Sequence, residues 1–515
     1  MVTHRALPPH TRPFLFALLP AALLVAAAWA TAQPTRQHDT IPGPGGGRAR
    51  ISALGRDLDA IIADRNFHDA TWGVSVISCE SGEVLYRHEA ERNRQVASNI
   101  KLLTTAVAIE RLGPDYRFTT SLLIDGLVDS VGHLNGNLIV RTSGDPSLAP
   151  GYGVDPRLVV AGWARSLDSL GIHTVENVIV DASALDATPF APGWAWDDEP
   201  FGFSAPISAA SIWENSIEVH VIPGMRPGDP VAVELHPTTG YVRLQTTAIT
   251  TRSDSASTLD IRRLPGSATI SVAGNIAVGS EPYVEAVSID RPALFMATVI
   301  AEELERNEIE VRGRAVDLSD FPTPLDLSRL QVAAVYRSPR LAAMIGAINK
   351  QSLNLGAEML LRALDRAAGG VGSTAGGVEQ VRHALQRYGI DPEHLKIVDG
   401  SGLSRVDMIS PADITALLRG MARSRNAEAY MRSLSIAGVD GTLSARLRGT
   451  LAEGNVYGKT GYLGGVRAIS GYARTRDGEL LAFSIATNNY SVPTVVVNTA
   501  HDLMIMRLAS FTRKG

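Results

Sequence analysis

The sequence of 515 residues predicts an α/β fold in which one domain is split by an inserted, mainly β stretch. The two ends carry incomplete halves of a helix-and-strand unit, a hairpin and helix over 49–115 and helices followed by strands over 323–515. Between them, over 116–322, short alternating runs are punctuated by Gly, Pro, Asn and Asp, as in Gly136-Asn137-Leu138-Ile139-Val140 and Ala268-Thr269-Ile270-Ser271-Val272. With 45% hydrophobic and 20% charged residues, the chain has enough apolar side chains for two or three cores.

The N-terminus places Arg5 and Arg12 ahead of an apolar run over 14–29 and then Ala30-Thr31-Ala32, the order of a secretory signal, with cleavage expected after Ala32. The alternative is an uncleaved anchor, which the run is short for, since a spanning helix wants about 20 apolar residues. No Cys follows the small residues, so a lipid anchor is not suggested. The Pro- and Gly-rich stretch 33–48 reads as a flexible tether with no fold of its own. Helical spacing follows over 51–63, a hairpin over 72–78 and 84–87 turning at Gly82, and a helix over 99–112.

Beyond the β stretch, helices are expected over 340–349, behind Ser338-Pro339, and over 355–368, 377–388 and 411–422. Strands over 468–474 and 480–487 precede a closing helix over 494–510. Leu503, Ile505 and Leu508 are expected to pack that helix on a sheet. Arg513-Lys514 behind it leaves peripheral contact with a membrane surface as the alternative.

Composition removes several functional classes. A formal net charge of -5 gives no basic face for nucleic acid. The single cysteine, Cys79, cannot form an internal disulfide, and its alternating neighbours read as a packed strand rather than a reactive thiol. The 12 histidines are scattered without ligand spacing, so neither a metal nor another cofactor is expected. Gly43 to Gly47 lacks the preceding strand and following Lys-Ser/Thr of a phosphate loop.

Three short motifs carry chemistry. In Ser98-Asn99-Ile100-Lys101 the spacing of three puts a hydroxyl and an amine on one helical face, at a helix start whose positive dipole end favours a neutral lysine. Ser352-Leu353-Asn354 falls between two helical patterns, where a turn can present a hydroxyl and a carboxamide. Lys459-Thr460-Gly461 precedes the strand-rich tail, with Gly461 allowing close approach to a strand edge. Each alone reads as well as a helix cap or a turn; their order is what gives them weight, because together they form the three-part penicillin-interacting signature.

On these motifs the chain resembles the class C, low-molecular-mass penicillin-binding proteins, the D-alanyl-D-alanine carboxypeptidase and endopeptidase family. Val84-Leu85-Tyr86, Pro114-Asp115-Tyr116-Arg117-Phe118, Gly144-Asp145-Pro146-Ser147-Leu148, Asp399 to Arg405 and Gly438 to Leu443 extend the likeness over nearly everything after the tether. The resemblance implies a transpeptidase/β-lactamase-like serine acyl-enzyme domain with two mainly β inserted domains. It implies Ser98 as nucleophile, Lys101 as its base, Ser352 and Asn354 as proton carrier and orienting group, and Lys459 as positive charge. Thr460, Gly461 and the N–H of Tyr462 are implied on the substrate side. Asp198, in Pro192-Gly193-Trp194-Ala195-Trp196-Asp197-Asp198, is implied to stand over the cleft.

The implied partners are peptidoglycan stem peptides and cross-links, with β-lactams as inhibitors. One departure stands out, because Tyr462 occupies a position that is usually Ser or Thr. The loss of that hydroxyl predicts a weaker hold on a substrate's terminal carboxylate and a tilt toward endopeptidase action. Two rival readings are a β-lactamase or esterase on the same core and a wall-binding protein that has lost turnover.

Overall fold

The first strand of the chain finds its partners at the far end. In the computed structural model, which describes residues 46–322, 325–328 and 330–514, strand Thr71–Ser78 lies between Val84–His88 and Leu480–Asn488. Val466–Arg474, Val456–Leu463 and the short Ser435–Ile436 complete a six-stranded sheet whose pairings are all antiparallel. Side chains alternate across it as the strand period of two requires. Ala468, Tyr472, Ala482 and Ala486 face one helical layer, and Ile469, Ala473, Leu481, Phe483 and Ile485 face the other.

The first layer contains helices Ile100–Leu112, Leu341–Gln351, Asn354–Ala367, Thr374–Leu385 and Pro411–Ala422. The second contains Gly46–Ile62 and Thr494–Ser510. The N-terminal helix begins at Gly46, so the last residues of the expected tether belong to it. The leader and the rest of the tether lie outside the described residues. On the closing helix Ile505 and Leu508 are buried as expected, whereas Leu503 faces solvent. Arg513 is held by Glu479 and Glu83, so its charge is neutralised within the fold and lends no support to membrane contact. Among the described residues no helix is long and apolar enough to cross a membrane.

Cys79 directly follows the first strand, buried in the layer under helix Ile100–Leu112, and burial pushes its thiol up to about 12. That value suits a packed residue and not a nucleophile.

The inserted stretch departs from the expectation in two ways. Its larger sheet runs Glu310–Val311, Thr174–Asp181, His133–Arg141, Thr119–Val128, Gln331–Arg337, with Ala315–Asp317 also on Thr174–Asp181. Because Gln331–Arg337 pairs with Thr119–Val128, the insertion continues to Arg337 rather than ending at 322. It also contains two full helices, Pro156–Ser169 and Pro292–Arg306, packed on that sheet through Val160, Trp163, Leu167, Phe295, Met296 and Ile300. The smaller part, strands between Ser216 and Ser288, is nested inside the larger and shares its apolar core.

Candidate active site

The chain enters the site through a tight 3-10 turn, Ala97–Asn99, ahead of helix Ile100–Leu112. Ala97 has φ 49°, a left-handed conformation that costs a non-glycine residue roughly 1 kcal/mol or more. The turn is held in place by its surroundings. Gly402 has φ 76°, and a Cβ there would lie 2.0 Å from the Ala97 carbonyl, so only glycine lets loop 399–405 close over the turn.

Lys101 lies one helical turn beyond Ser98 and is fully buried. Its Nζ is 2.9 Å from Ser98 Oγ, 2.5 Å from Asn354 Oδ1 and 2.7 Å from the Ser401 carbonyl. The last two atoms can only accept. A neutral amine has two N–H groups and one lone pair, so it donates to Asn354 and Ser401 and turns its lone pair to the Ser98 hydroxyl. Burial brings the Lys101 amine down to about 7, against the opposing pull of Asp399 and Glu358. Of the two causes expected, desolvation and neighbouring positive groups, burial does the work, and the charges acting on Lys101 are carboxylates that oppose it.

Ser352 ends helix Leu341–Gln351 in the left-handed conformation, φ 63°, which swings the chain round so that Asn354 can start the next helix. The Ser352 Oγ accepts from Lys459 Nζ at 3.0 Å, and Lys459 also donates to the Thr460 carbonyl at 2.8 Å. Lys459 is fully buried, and burial followed by the nearby Lys101 drives its amine well below the ordinary lysine range. Asn354 uses both ends of its amide, its Nδ2 donating to the Phe203 carbonyl at 2.8 Å. The inserted stretch thus orients a residue of the central cleft.

On strand Val456–Leu463 the Thr460 hydroxyl donates to that of Thr442 at 2.8 Å. Gly461 is explained from within the chain: a Cβ there would meet the Val96 carbonyl at 2.2 Å, so glycine lets this strand pass against the turn that carries Ser98. Tyr462 is 58% exposed, and the Arg467 guanidinium lies over its ring at 4.1 Å from the centroid.

Asp198 lies half-buried at a turn in segment 189–213, where burial and then Asp197 raise its carboxyl and Arg405 opposes them. That segment is pinned to the core by Trp194, whose Nε1 donates to Asp399 Oδ2 at 3.0 Å. Sequence reasoning missed two supports beneath the site. Asp399 accepts from the N–H groups of Ser401, Gly402 and Ser404, and Glu358, fully buried, accepts from those of Gly400 and Ser401. Together they hold the Ser401 carbonyl toward Lys101. Glu358 follows Asn354 by one helical turn, a spacing that could have marked it.

Ser98, Lys101 and Asn354 therefore share one hydrogen-bonded cluster, while Ser352, Lys459 and Thr460 share a second alongside it. Among the described residues no group of three or more His, Cys, Asp or Glu side chains is placed to hold a metal. A serine beside a desolvated lysine, a Ser-x-Asn turn and a Lys-Thr-Gly strand, set on an antiparallel sheet between two helical layers, define the class of penicillin-interacting serine hydrolases.

Comparison with known proteins gives the family. Residues 54–510 match the D-Ala-D-Ala carboxypeptidase 3 (S13) family, and the chain belongs to it. It is 34% identical over 475 residues to a D-alanyl-D-alanine carboxypeptidase from Actinomadura sp. (strain R39), covering 90% of this chain and 86% of that one. A D-alanyl-D-alanine carboxypeptidase DacB from Haemophilus influenzae is 28% identical over 77% of this chain and 80% of its own length. The crystal structure of penicillin binding protein 4 from Haemophilus influenzae superposes with a TM-score of 0.74 at 25% identity, covering 89% of this chain and 98% of that one.

Proposed function

We propose that the protein is a serine-type D-alanyl-D-alanine carboxypeptidase and endopeptidase that cleaves peptidoglycan stem peptides and cross-links through an acyl-enzyme on Ser98. The contact set of Lys101 carries the reading, since an amine with two fixed acceptors has only its lone pair left for the Ser98 proton. Ser98 Oγ attacks the carbonyl of the penultimate D-alanine as its proton passes to Lys101. The N–H groups of Ser98 and Tyr462 receive the oxyanion, each donor contributing about 3–4 kcal/mol. The proton reaches the departing amine through Ser352, which Lys459 polarises, and the C–N bond breaks. Water then attacks the ester, Lys101 taking its proton, and Ser98 is released.

Thr460 and Gly461 line the strand edge along which the substrate extends, and Asp198, beside Arg405, faces the part of the stem peptide away from the scissile bond. β-Lactams present the same amide in a ring and acylate the same hydroxyl. The family membership and the 34% identical D-alanyl-D-alanine carboxypeptidase support this substrate class. The test is intact-mass analysis of wild type and Ser98→Ala after brief exposure to benzylpenicillin, with turnover of a muropeptide measured in parallel. A single stable adduct on wild type alone, with muropeptide cleavage, is expected. Rapid drug hydrolysis without an adduct marks a β-lactamase, and neither adduct nor turnover marks a non-catalytic wall protein. Release of D-alanine from a stem pentapeptide against cleavage of a cross-linked dimer apportions the two activities.

The protein acts outside the cytoplasm, exported by residues 1–32. N-terminal sequencing of the exported chain is expected to begin at Gln33; a chain still starting with the leader refutes cleavage.

A further inference from the structure

Asn354 is held by a residue of the inserted stretch, and that hold can be followed link by link. A carboxamide has one end that only accepts and one that only donates. The Phe203 carbonyl can only accept, so Nδ2 of Asn354 must face it, at 2.8 Å, and Oδ1 is left for Lys101 Nζ at 2.5 Å. Turned the other way, the amide would offer an N–H to the Lys101 lone pair, the one that the Ser98 proton needs. The place of one backbone carbonyl therefore decides whether the base is free.

Phe203 itself is 48% exposed, its ring stacked on that of Phe201 at 5.5 Å. What fixes its carbonyl is the chain just before it, which the nested part of the insertion grips. Glu199 is held by side chain and backbone alike: Arg263 Nη2 donates to its Oε1, and Ser288 Oγ donates to its carbonyl at 2.5 Å. The Ser288 N–H donates to the Pro200 carbonyl at 3.0 Å, and Phe201 bridges to Val287. At Gly202 a Cβ would lie 2.8 Å from that of Ala286, so glycine lets the chain press against strand Tyr283–Ser288. Arg263, at the end of strand Asp260–Arg263, is 1% exposed. Its Nε donates to the Ser288 carbonyl, its Nη1 to those of Leu264 and Ser267, and its Nη2 to Glu199 and the Ser288 hydroxyl. Every N–H of the guanidinium is thus in use, and its charge meets one carboxylate, which makes the contact a fixed point.

We infer that Arg263 is a positioning residue for the acylation step, acting through Glu199 and the Phe203 carbonyl on the amide of Asn354. The strands between Ser216 and Ser288 thereby serve the reaction at Ser98, although the two clusters of the cleft contain none of their residues. Loss of the anchor frees segment 199–204 to shift, the Phe203 carbonyl leaves Asn354, and the amide samples both orientations. Only the fraction with Oδ1 toward Lys101 goes on to acylate.

The assignment rests on the acyl-enzyme reading with Lys101 as base, and its test keeps the two apart. The rate constant of acylation by benzylpenicillin is measured for wild type, Arg263→Met, Asn354→Ala and the two substitutions combined. Arg263→Met is expected to slow acylation about 10- to 100-fold in the wild-type background, the range for a misplacement of up to about 1 Å. In the Asn354→Ala background the same substitution is expected to change the rate by less than about twofold, because the group through which it acts is gone. Arg263→Met leaves Glu199 without its cation, so Arg263→Met joined to Glu199→Leu, which removes both charges, supplies the comparison if the single variant fails to fold. Equal slowing in the two backgrounds, or wild-type acylation in Arg263→Met, overturns the role of Arg263 and leaves the acyl-enzyme reading standing. A wild type that benzylpenicillin does not acylate overturns that reading, and this assignment with it.

Discussion

Lys101→Ala leaves a folded chain that benzylpenicillin acylates about 10²- to 10⁴-fold more slowly than wild type, the range in which a positioned general base contributes. The same residue sets the pH dependence. With its amine at about 7, Lys101 is an ammonium ion below that pH and has no lone pair for Ser98. The acylation rate constant is therefore expected to fall about tenfold per pH unit below about 7 and to level off above it. Stopped-flow acylation across this range reads the profile directly. A flat profile through neutrality, or unchanged acylation in Lys101→Ala, removes Lys101 as the base.

Stability moves in a related way. The folded-state value of about 7 lies below the ordinary 10.5, so between these limits the unfolded chain binds the extra proton. The Lys101 penalty to folding is thus largest at pH below about 7 and is relieved as pH rises toward 10.5.

Gly461→Ala is the second large effect. The added methyl would sit 2.2 Å from the Val96 carbonyl oxygen, a backbone atom, so either the strand or the Ser98 turn must move. Val96 also receives the N–H of Asn99, which ties it to the turn that carries Ser98. A displacement of about 1 Å between Ser98 and the Tyr462 N–H is expected to lower acylation about 100-fold. The overpacking is expected to cost about 1–3 kcal/mol of stability, read as a shift in the urea midpoint. Wild-type acylation in this variant would show that the two segments do not set each other's position.

The catalytic halves were legible because each motif sits where a helix or strand begins. The Ser98 to Lys101 spacing, the Ser352 to Asn354 gap and the Lys459 strand can be read locally, and the structure brings them together as two adjoining clusters. Helices Pro411–Ala422 and Thr494–Ser510 were bounded correctly, the first by Ser410 and Pro411 at its start. Helix Pro156–Ser169 was missed although Asp155 caps it and Pro156 opens it, because the turn-rich sequence on either side masked the spacing of Val160, Trp163 and Leu167. Glu358 and Asp399 were not legible as a pair. They are 41 residues apart in the chain, and only the closing of loop 399–405 over helix Asn354–Ala367 makes them neighbours.

The pairing of Thr71–Ser78 with Leu480–Asn488 has a consequence for the order in which the molecule assembles. A chain synthesised N-terminus first presents that opening hairpin long before its partner strands exist, and contacts so distant in sequence form slowly. The inserted stretch, closed by Gln331–Arg337 on Thr119–Val128, has all its strands earlier and can finish first. Its crossing segment is then ready to receive Asn354 at the Phe203 carbonyl before the last strands are in place. The turn that carries Ser98, wedged between Gly402 and Gly461, can take its final shape only when Val456–Leu463 has docked. Hydrolytic power is in this sense the last thing the polypeptide acquires, which keeps a half-made cleft inert while the chain folds.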